Sequence, residues 1–180
     1  VVMGVTTGGM LTTEQYLKTG DGDPDAFKYH SPSSVSEHIA LELGCHGPVI
    51  TLSTACSSSA VAIKIALEML RAGRAGTVLA GGADSLCRLT YHGFRALQLI
   101  DPQGARPFDK AREGMSVAEG AAVLVLTASE GVPDNAIAEI LGAGLSCDAY
   151  HPSAPHPDGA GAVQAMQAAV RDAHISLEEI

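Results

Sequence analysis

Residues 49–64 read VITLSTACSSSAVAIK, and this stretch decides the fold that the sequence predicts. The apolar run Val49–Leu52 is typical of a strand that is covered on both faces. Small residues follow, and then Cys56, just ahead of residues 58–72, which predict a helix ended by Gly73. Because this helix carries few charged residues, we expect it to be buried.

A cysteine at the start of a buried helix is well placed for nucleophilic chemistry. The thiolate is the nucleophile, and the positive end of the helix dipole favours this anion without a neighbouring base. Main-chain amides at the same helix start can hold an oxyanion when a thioester carbonyl is attacked. We expect the hydroxyl groups of Ser57, Ser58 and Ser59 to cap the first-turn amides. The pattern also suits a buried structural cysteine, the commoner fate of a free thiol, so it leaves Cys56 undecided.

Strand-like and helix-like runs alternate along the rest of the chain. The capping-box pattern Ser34-Val35-Ser36-Glu37 predicts a helix that Gly44 ends. Asp158 is expected to cap a last helix that runs to about Ala173. This alternation predicts a layered α/β fold with a largely parallel or mixed sheet. The predicted strands are Val1–Val5, Val49–Leu52, Thr77–Ala80, Ala121–Leu126 and Ile137–Leu141.

Composition limits the possible function classes. The 180 residues are 46% hydrophobic, and the formal net charge is −9, from 11 Lys and Arg against 20 Asp and Glu. This acidic balance excludes a general binder of nucleic acid or anionic membranes, and no apolar run predicts a membrane span. The four cysteines form no Cys-x-x-Cys pair, which favours a reduced, cytoplasmic protein. Turn-forming residues predict loops at Lys18–Pro32 and Asp101–Gly114.

The local sequence around the cysteine resembles a known family. Thr54–Ser59, TACSSS, closely resembles the active-site signature of the β-ketoacyl synthases of fatty-acid and polyketide assembly. Further correspondences cover essentially all 180 residues. They include VMGVTTGG at 2–9, HGP at 46–48, AGGAD at 80–84, RPFDKAREG at 106–114, AEGA at 118–121, DAYH at 148–151 and GAG at 159–161.

The resemblance implies a fold and an extent. The fold is a thiolase-like layered α/β/α sandwich with a mixed sheet, incomplete in this chain. Residues 1–180 would be the central part of a ketosynthase, covering most of the nucleophile-bearing half and the start of the second half. The family completes its site with one histidine in an Asn-Ala-His-Gly-Thr motif and another in a Lys-containing Gly-His motif, and neither motif occurs here. We therefore expect an internal portion of a longer protein, with the condensation histidines outside this stretch.

The resemblance also implies roles for individual residues. Cys56 would accept the acyl chain, and its backbone amide would supply one half of the oxyanion hole. Residues near the tunnel that receives the pantetheine arm would be Asp148, His151 and Ser153. Residues that organise the site without performing chemistry would be Asp109, Arg112 and Glu113, in an ion-pair loop, and Glu119, as a buried carboxylate.

The implied activity is carrier-protein-dependent condensation. An acyl carrier protein would deliver the acyl chain on its phosphopantetheine arm to Cys56, and malonyl carrier protein would then lose carbon dioxide and attack the thioester. The arm is a substrate carrier, and we expect no bound cofactor. Family members are dimers, so Val49–Ser53 is expected near a twofold axis, against an identical partner or a ketosynthase-like chain-length subunit. The product, a fatty acid, a polyene or another polyketide, is left open.

The same residues allow alternative interpretations. A thiolase-fold synthase that uses coenzyme A shares the cysteine, although TACSSS and RPFD favour the carrier-protein branch. A non-catalytic ketosynthase-like partner subunit generally lacks the cysteine that is present here. The cluster of Cys147, Asp148, His151 and His156 matches no zinc spacing, so we expect no metal. Basic residues that could dock an acidic carrier protein, or equally be ordinary solvated charges, are Arg71, Arg74, Lys110 and Arg112.

Overall fold

The computed structural model describes the chain in three ranges, residues 1–21, 24–151 and 154–180. Its residues divide into two compact units. The first unit consists of Val1–Ala62 and Leu79–Leu124, and the second consists of Ile63–Val78 and Val125–Ile180. Within the described ranges, no helix is both long enough and apolar enough to cross a membrane.

Strands and helices alternate through the described residues, as the sequence pattern predicts. The strands are β1 (Val2–Gly4), β2 (Ile50–Leu52), β3 (Thr77–Asp84) and β4 (Gly120–Thr127). The α-helices are α1 (Met10–Thr19), α2 (Ser33–Glu42), α3 (Ser58–Arg71), α4 (Arg88–Ala96) and α5 (Ala160–Ala173). Short 3-10 helices occupy Pro24–Tyr29, inside a predicted loop, and Leu177–Glu179.

The strands form a mixed sheet in the order β2-β1-β3-β4. β1 pairs in parallel with both of its neighbours, so that Val2 lies opposite Ile50 in β2 and Ala80 in β3. Because β1 is central, the side chains of Val2 and Met3 and the adjoining Val5 are fully buried. The carboxyl ends of these three parallel strands meet at one edge of the sheet, and that edge carries the candidate site.

Four of the five predicted strands are present, but the strand predicted at Ile137–Leu141 is wrong. The chain beyond this segment packs against α5 instead. A Cβ added to Gly142 would lie 2.5 Å from the amide nitrogen of Ala173, and one added to Gly144 would lie 2.0 Å from the carbonyl oxygen of Ala165. The run itself is largely exposed, with Leu141 at 47%, so its apolar residues are not buried in a sheet.

Two predicted helix caps are also wrong. The capping box predicted at residues 34–37 is not formed, because Ser34 lies inside α2 and its hydroxyl donates to the carbonyl of Tyr29 at 3.0 Å. Asp158 does not cap α5. Gly159 precedes that helix in a left-handed conformation, with a φ of 66° and no side-chain cap. In both places the backbone path, rather than the nearest polar side chain, determines where the helix begins.

The sequence pattern does not predict α1 or α4, because contacts between distant segments stabilise both helices. The ring of Tyr16 in α1 packs edge-on against Phe27, with 4.8 Å between the ring centroids. Glu14, also in α1, caps α4 by accepting hydrogen bonds from the amides of Arg88 and Leu89, each at 2.8 Å. A cap supplied from about 75 residues away leaves no local sequence signal.

Candidate active site

Cys56 lies in the turn that joins β2 to α3, at the carboxyl edge of the sheet. β2 ends at Leu52 and α3 begins at Ser58, so the cysteine is displayed two residues before the helix. Cys56 is exposed rather than buried in the core. Ala55, immediately before it, has a φ of 54°, in the left-handed region that non-glycine residues rarely adopt. The predicted order of strand, tight turn, cysteine and helix is confirmed.

Serine hydroxyl groups hold this turn together. Ser58 Oγ accepts a hydrogen bond from the amide of Thr54 at 2.8 Å and donates one to the carbonyl of Ala55 at 2.6 Å. Ser57 Oγ donates to the carbonyl of Thr54 at 2.9 Å. The prediction that these two serines cap the first-turn amides of α3 is therefore wrong. Their hydroxyl groups reach backward, because the sharp turn brings the preceding main chain within hydrogen-bonding distance.

Two glycines allow the first turn of α3 to sit directly on the sheet. A Cβ added to Gly4 in β1 would lie 2.4 Å from the carbonyl carbon of Ser58. One added to Gly82 in β3 would lie 2.1 Å from Ser59 Oγ. Real side chains do not approach other atoms this closely, so the position of the turn depends on these two residues having no side chain.

Asp84, at the end of β3, links the carboxyl ends of neighbouring strands. Its Oδ1 accepts hydrogen bonds from the amide of Thr7 at 2.7 Å and from that of Thr6 at 3.0 Å. Thr6 Oγ1 in turn lies 3.3 Å from the hydroxyl of Ser53, just after β2. Sequence reasoning missed this role of Asp84. The available signal was an acidic residue at the end of a strand, two positions after a Gly-Gly pair.

A cleft of ≈ 370 Å³ opens beside these strand ends in the first unit. Its lining includes Gly8, Asp84 and Glu119, together with half-buried Val35 from α2. Cys56 is not among the lining residues.

The predicted loop Asp101–Gly114 is irregular, as expected, and a buried carboxylate organises it. Asp101 is 3% exposed, and it accepts hydrogen bonds from the amide of Gln103 at 2.9 Å and from Arg106 Nη2 at 3.0 Å. The amide of Gln103, followed by the guanidinium of Arg106, holds the pKa of Asp101 below its ordinary value. This pair was not singled out in the sequence, because burial of the carboxylate is a tertiary property.

Three of the residues predicted to organise the site make hydrogen bonds with main-chain groups. Asp109 accepts from the amide of Ala111 at 2.7 Å, and Arg112 Nη1 donates to the carbonyl of Asp109 at 2.9 Å, so the expected ion pair between their side chains is replaced by main-chain bonds. The prediction that Glu119 is buried is wrong. Glu119 is exposed, and its Oε2 accepts from the amide of Leu86 at 3.0 Å, because the strand that it precedes, β4, is itself largely exposed.

Asp148 and His151, two of the residues predicted near the pantetheine tunnel, belong to the second unit. Asp148 accepts hydrogen bonds from the amides of His156 at 2.9 Å and Tyr150 at 3.4 Å, and these donors hold its pKa below the ordinary value. His151 is exposed, and its Nδ1 accepts from the amide of Ala154 at 3.1 Å. The third predicted residue, Ser153, lies outside the described residues. Among those that are described, no three His, Cys, Asp or Glu side chains are grouped closely enough to hold a metal ion.

Solved structures show which class of protein has this architecture. The ketosynthase ApeO, in complex with its chain length factor ApeC, from Xenorhabdus doucetiae has a TM-score of 0.87 and 34% identity, over 99% of this chain and 45% of that one. The AntDE:AntF complex, an acyl-carrier protein with its type II polyketide ketosynthase, has a TM-score of 0.85 and 28% identity, over 98% of this chain and 48% of that one. The fold is therefore that of the thiolase-like ketosynthases.

Family descriptions agree with the fold. Residues 1–131 match the beta-ketoacyl synthase N-terminal domain and residues 137–180 match the C-terminal domain, so the chain belongs to the β-ketoacyl synthase family. Chloroplastic 3-oxoacyl-[acyl-carrier-protein] synthase I of Arabidopsis thaliana is 37% identical, over 100% of this chain and 41% of that protein. Nodulation protein E of Rhizobium meliloti is 35% identical, over 99% of this chain and 46% of that protein. The chain thus spans less than half the length of these relatives.

Proposed function

We propose that residues 1–180 are the central part of a carrier-protein-dependent β-ketoacyl synthase, an acyltransferase, and that Cys56 accepts the acyl chain. The observation that carries this proposal is an exposed cysteine displayed by a sharp strand-to-helix turn. Membership of the β-ketoacyl synthase family supports the chemistry. The four free cysteines support a reducing compartment, for which we propose the cytoplasm.

The first half-reaction is acyl transfer. The thiolate of Cys56 attacks the carbonyl carbon of an acyl group carried on the phosphopantetheine arm of an acyl carrier protein. The bond between that carbon and the arm's sulfur then breaks, and the arm leaves as a thiolate that takes up a proton. The backbone amide of Cys56 supplies one donor to the oxyanion formed between these two steps.

The second half-reaction is decarboxylative condensation. Malonyl carrier protein loses carbon dioxide, and the electron pair of the broken carbon–carbon bond forms an enolate. The enolate carbon attacks the acyl thioester, the β-ketoacyl product stays on the carrier protein, and Cys56 is released as a thiolate. Stabilisation of the developing charge is assigned to histidines outside this stretch of sequence. For the arm itself, we propose contacts with Asp148, His151 and Ser153.

For the assembly, we propose a dimer with an identical or ketosynthase-like subunit, formed across the strand region Val49–Ser53. β2 lies at an edge of the sheet, and Val49 beside it is 41% exposed, so this strand is available for pairing. An acyl carrier protein is the second proposed partner. Of the basic residues considered for its docking, Arg71 already donates to Asp172 at 2.9 Å and to the carbonyl of Leu141 at 2.7 Å, which leaves it little free for a partner.

The decisive experiment is acyl transfer to the full-length protein, followed by mass spectrometry of the intact protein and its peptides. We expect one acyl mass on the peptide that contains Cys56, and no acyl mass in Cys56→Ala. Cys147→Ala is the matched control, because Cys147 is also an exposed free cysteine, and this variant should acylate normally. A Cys56→Ala protein that still acquires the acyl mass would overturn the assignment.

The same experiment separates the alternatives. Acyl coenzyme A is supplied in parallel with acyl carrier protein, and we expect the carrier-linked substrate to react faster. Faster reaction with coenzyme A would favour the thiolase-fold synthase that uses this carrier. A wild-type protein that accepts no acyl group from either donor would favour a non-catalytic partner subunit.

A further inference from the structure

We propose that Ser58 is a positioning residue for Cys56, and that its hydroxyl acts by holding Ala55 in the strained conformation that displays the thiol. This inference rests on the proposed role of Cys56 as the acyl acceptor. It concerns a residue within the TACSSS motif whose side chain does not itself react.

Ala55 has a strained backbone conformation. Its φ of 54° places the backbone in the left-handed region, where a Cβ approaches the following carbonyl oxygen. Such a conformation costs roughly 1–2 kcal/mol for a non-glycine residue, so it persists only where the surrounding structure enforces it. Cys56 follows directly, and any relaxation at Ala55 rotates the chain that carries the thiol.

The hydroxyl of Ser58 is the group that enforces this conformation. Ser58 is 4% exposed, and its Oγ bonds on one side to the amide of Thr54 and on the other to the carbonyl of Ala55. The backbone amide of Ser58 also donates to the carbonyl of Ala55, at 3.1 Å. The peptide unit before Thr54 and the peptide unit after Ala55 are therefore both tied to the first residue of α3, so this residue spans the backbone that includes Ala55.

The neighbouring serine does not duplicate this arrangement. Ser57 Oγ bonds to Thr54 alone, through its carbonyl and its hydroxyl, and Ser57 is exposed. The position of Ser58 is in turn fixed from below, because the backbone of Ser58 lies directly against Gly4 in the central strand. The sheet thus fixes the position of Ser58, and the hydroxyl of Ser58 holds the strained residue ahead of the cysteine.

The test uses the full-length protein and compares Ser58→Ala with the double variant Ser58→Ala/Ala55→Gly. Iodoacetamide alkylation is followed at Cys56 by peptide mass spectrometry, with the exposed Cys147 as an internal reference. We expect Ser58→Ala to lower the ratio of the Cys56 rate to the Cys147 rate by roughly tenfold, which corresponds to about 1.4 kcal/mol. Acyl transfer to Cys56 should fall in kcat by a similar factor, with little change in KM for the acyl carrier protein.

The double variant separates positioning from general stability. Glycine adopts positive φ without strain, so Ala55→Gly in the Ser58→Ala background should recover the alkylation ratio by roughly threefold. Ser31→Ala, which removes an exposed hydroxyl bonded to Ser33, is the control and should leave the ratio unchanged. A lower melting temperature with an unchanged ratio, or no recovery in the double variant, would show that Ser58 is only structural and overturn the inference.

Failure of the inference and failure of the proposed function are distinguishable. If wild-type protein takes up no acyl group at Cys56, the proposed function fails, whatever the alkylation ratios show. If wild-type protein is acylated at Cys56 while Ser58→Ala alkylates and acylates at the same rate, only the positioning role is lost.

Discussion

The starts of α3 and α5 are built differently, although both helices are 14 residues long. Each follows a residue with positive φ, which is Ala55 at 54° ahead of α3 and Gly159 at 66° ahead of α5. The α5 start has no side-chain cap, and a Cβ added to Gly159 would meet nothing within 4 Å. The α3 start instead has serine hydroxyl groups bonded to the turn and a glycine packed beneath it.

This difference determines which of the two helix starts is strained. Glycine reaches positive φ readily, so the α5 start needs no bracing. Alanine does not, so the α3 start must be held by its neighbours, and backbone strain held in this way is found preferentially at functional positions. The strained start is the one that displays Cys56, the residue that we propose reacts.

The largest expected effect comes from Gly4→Ala, which places a side chain between the sheet and the start of α3. The added Cβ would lie 2.4 Å from the carbonyl carbon of Ser58, and neither backbone can yield easily. We expect a loss of about 3 kcal/mol in the free energy of unfolding, measured by urea denaturation, and loss of acyl uptake. Gly76→Ala is the matched control, because nothing lies within 4 Å of its added Cβ, and it should change stability by less than about 0.5 kcal/mol. Equal effects of the two substitutions would contradict the packing described here.

A smaller effect is expected from Gly159→Ala at the α5 start. Open space surrounds this position, so the substitution introduces only the strain of a left-handed alanine, about 1 kcal/mol in the free energy of unfolding. The rate of acyl uptake by Cys56 should stay within twofold of the wild-type rate. A twofold change corresponds to roughly 0.4 kcal/mol in activation free energy. A loss of stability larger than that of Gly4→Ala would show that the α5 start is the more tightly constrained of the two.

The smallest effect is a difference in pH dependence. Hydroxyl groups that do not titrate hold the α3 start, whereas the carboxylate of Asp148 binds the amide of His156 ahead of α5. Because hydrogen bonds to the amides of His156 and Tyr150 lower the pKa of Asp148 from 3.8, its stabilising contribution is complete above that pH and is lost as the pH falls through the lower folded value. We expect the His156 amide resonance in NMR to shift with a midpoint below pH 3.8.

Asp148→Asn serves as the control for this titration. It removes the carboxylate that accepts from the His156 amide, so the part of the amide's shift that falls below pH 3.8 should shrink. A midpoint at or above 3.8 in the wild-type protein would mean that the hydrogen bonds to Asp148 do not favour its charged form.

Local pattern predicted the parts of the fold that depend on local physics. The apolar runs of β1 to β4 and the long apolar run of α3 are strong signals, because burial requires apolar side chains at the right period. The motif TACSSS placed Cys56 between β2 and α3, and the structure agrees. The same reasoning failed at Ile137–Leu141, where an apolar run of strand length stays largely exposed.

The sequence by itself determined the order of strand, turn, cysteine and helix, and the family to which the chain belongs. Only the tertiary structure decided which hydroxyl groups hold the turn, that Glu14 caps α4, and that Asp84 joins the strand ends. The physical reason is the separation along the chain between the residues that interact. Hydrophobic period and turn chemistry are written within a few consecutive residues, whereas these hydrogen bonds depend on where the folded backbone brings side chains, mostly from segments far apart in the chain.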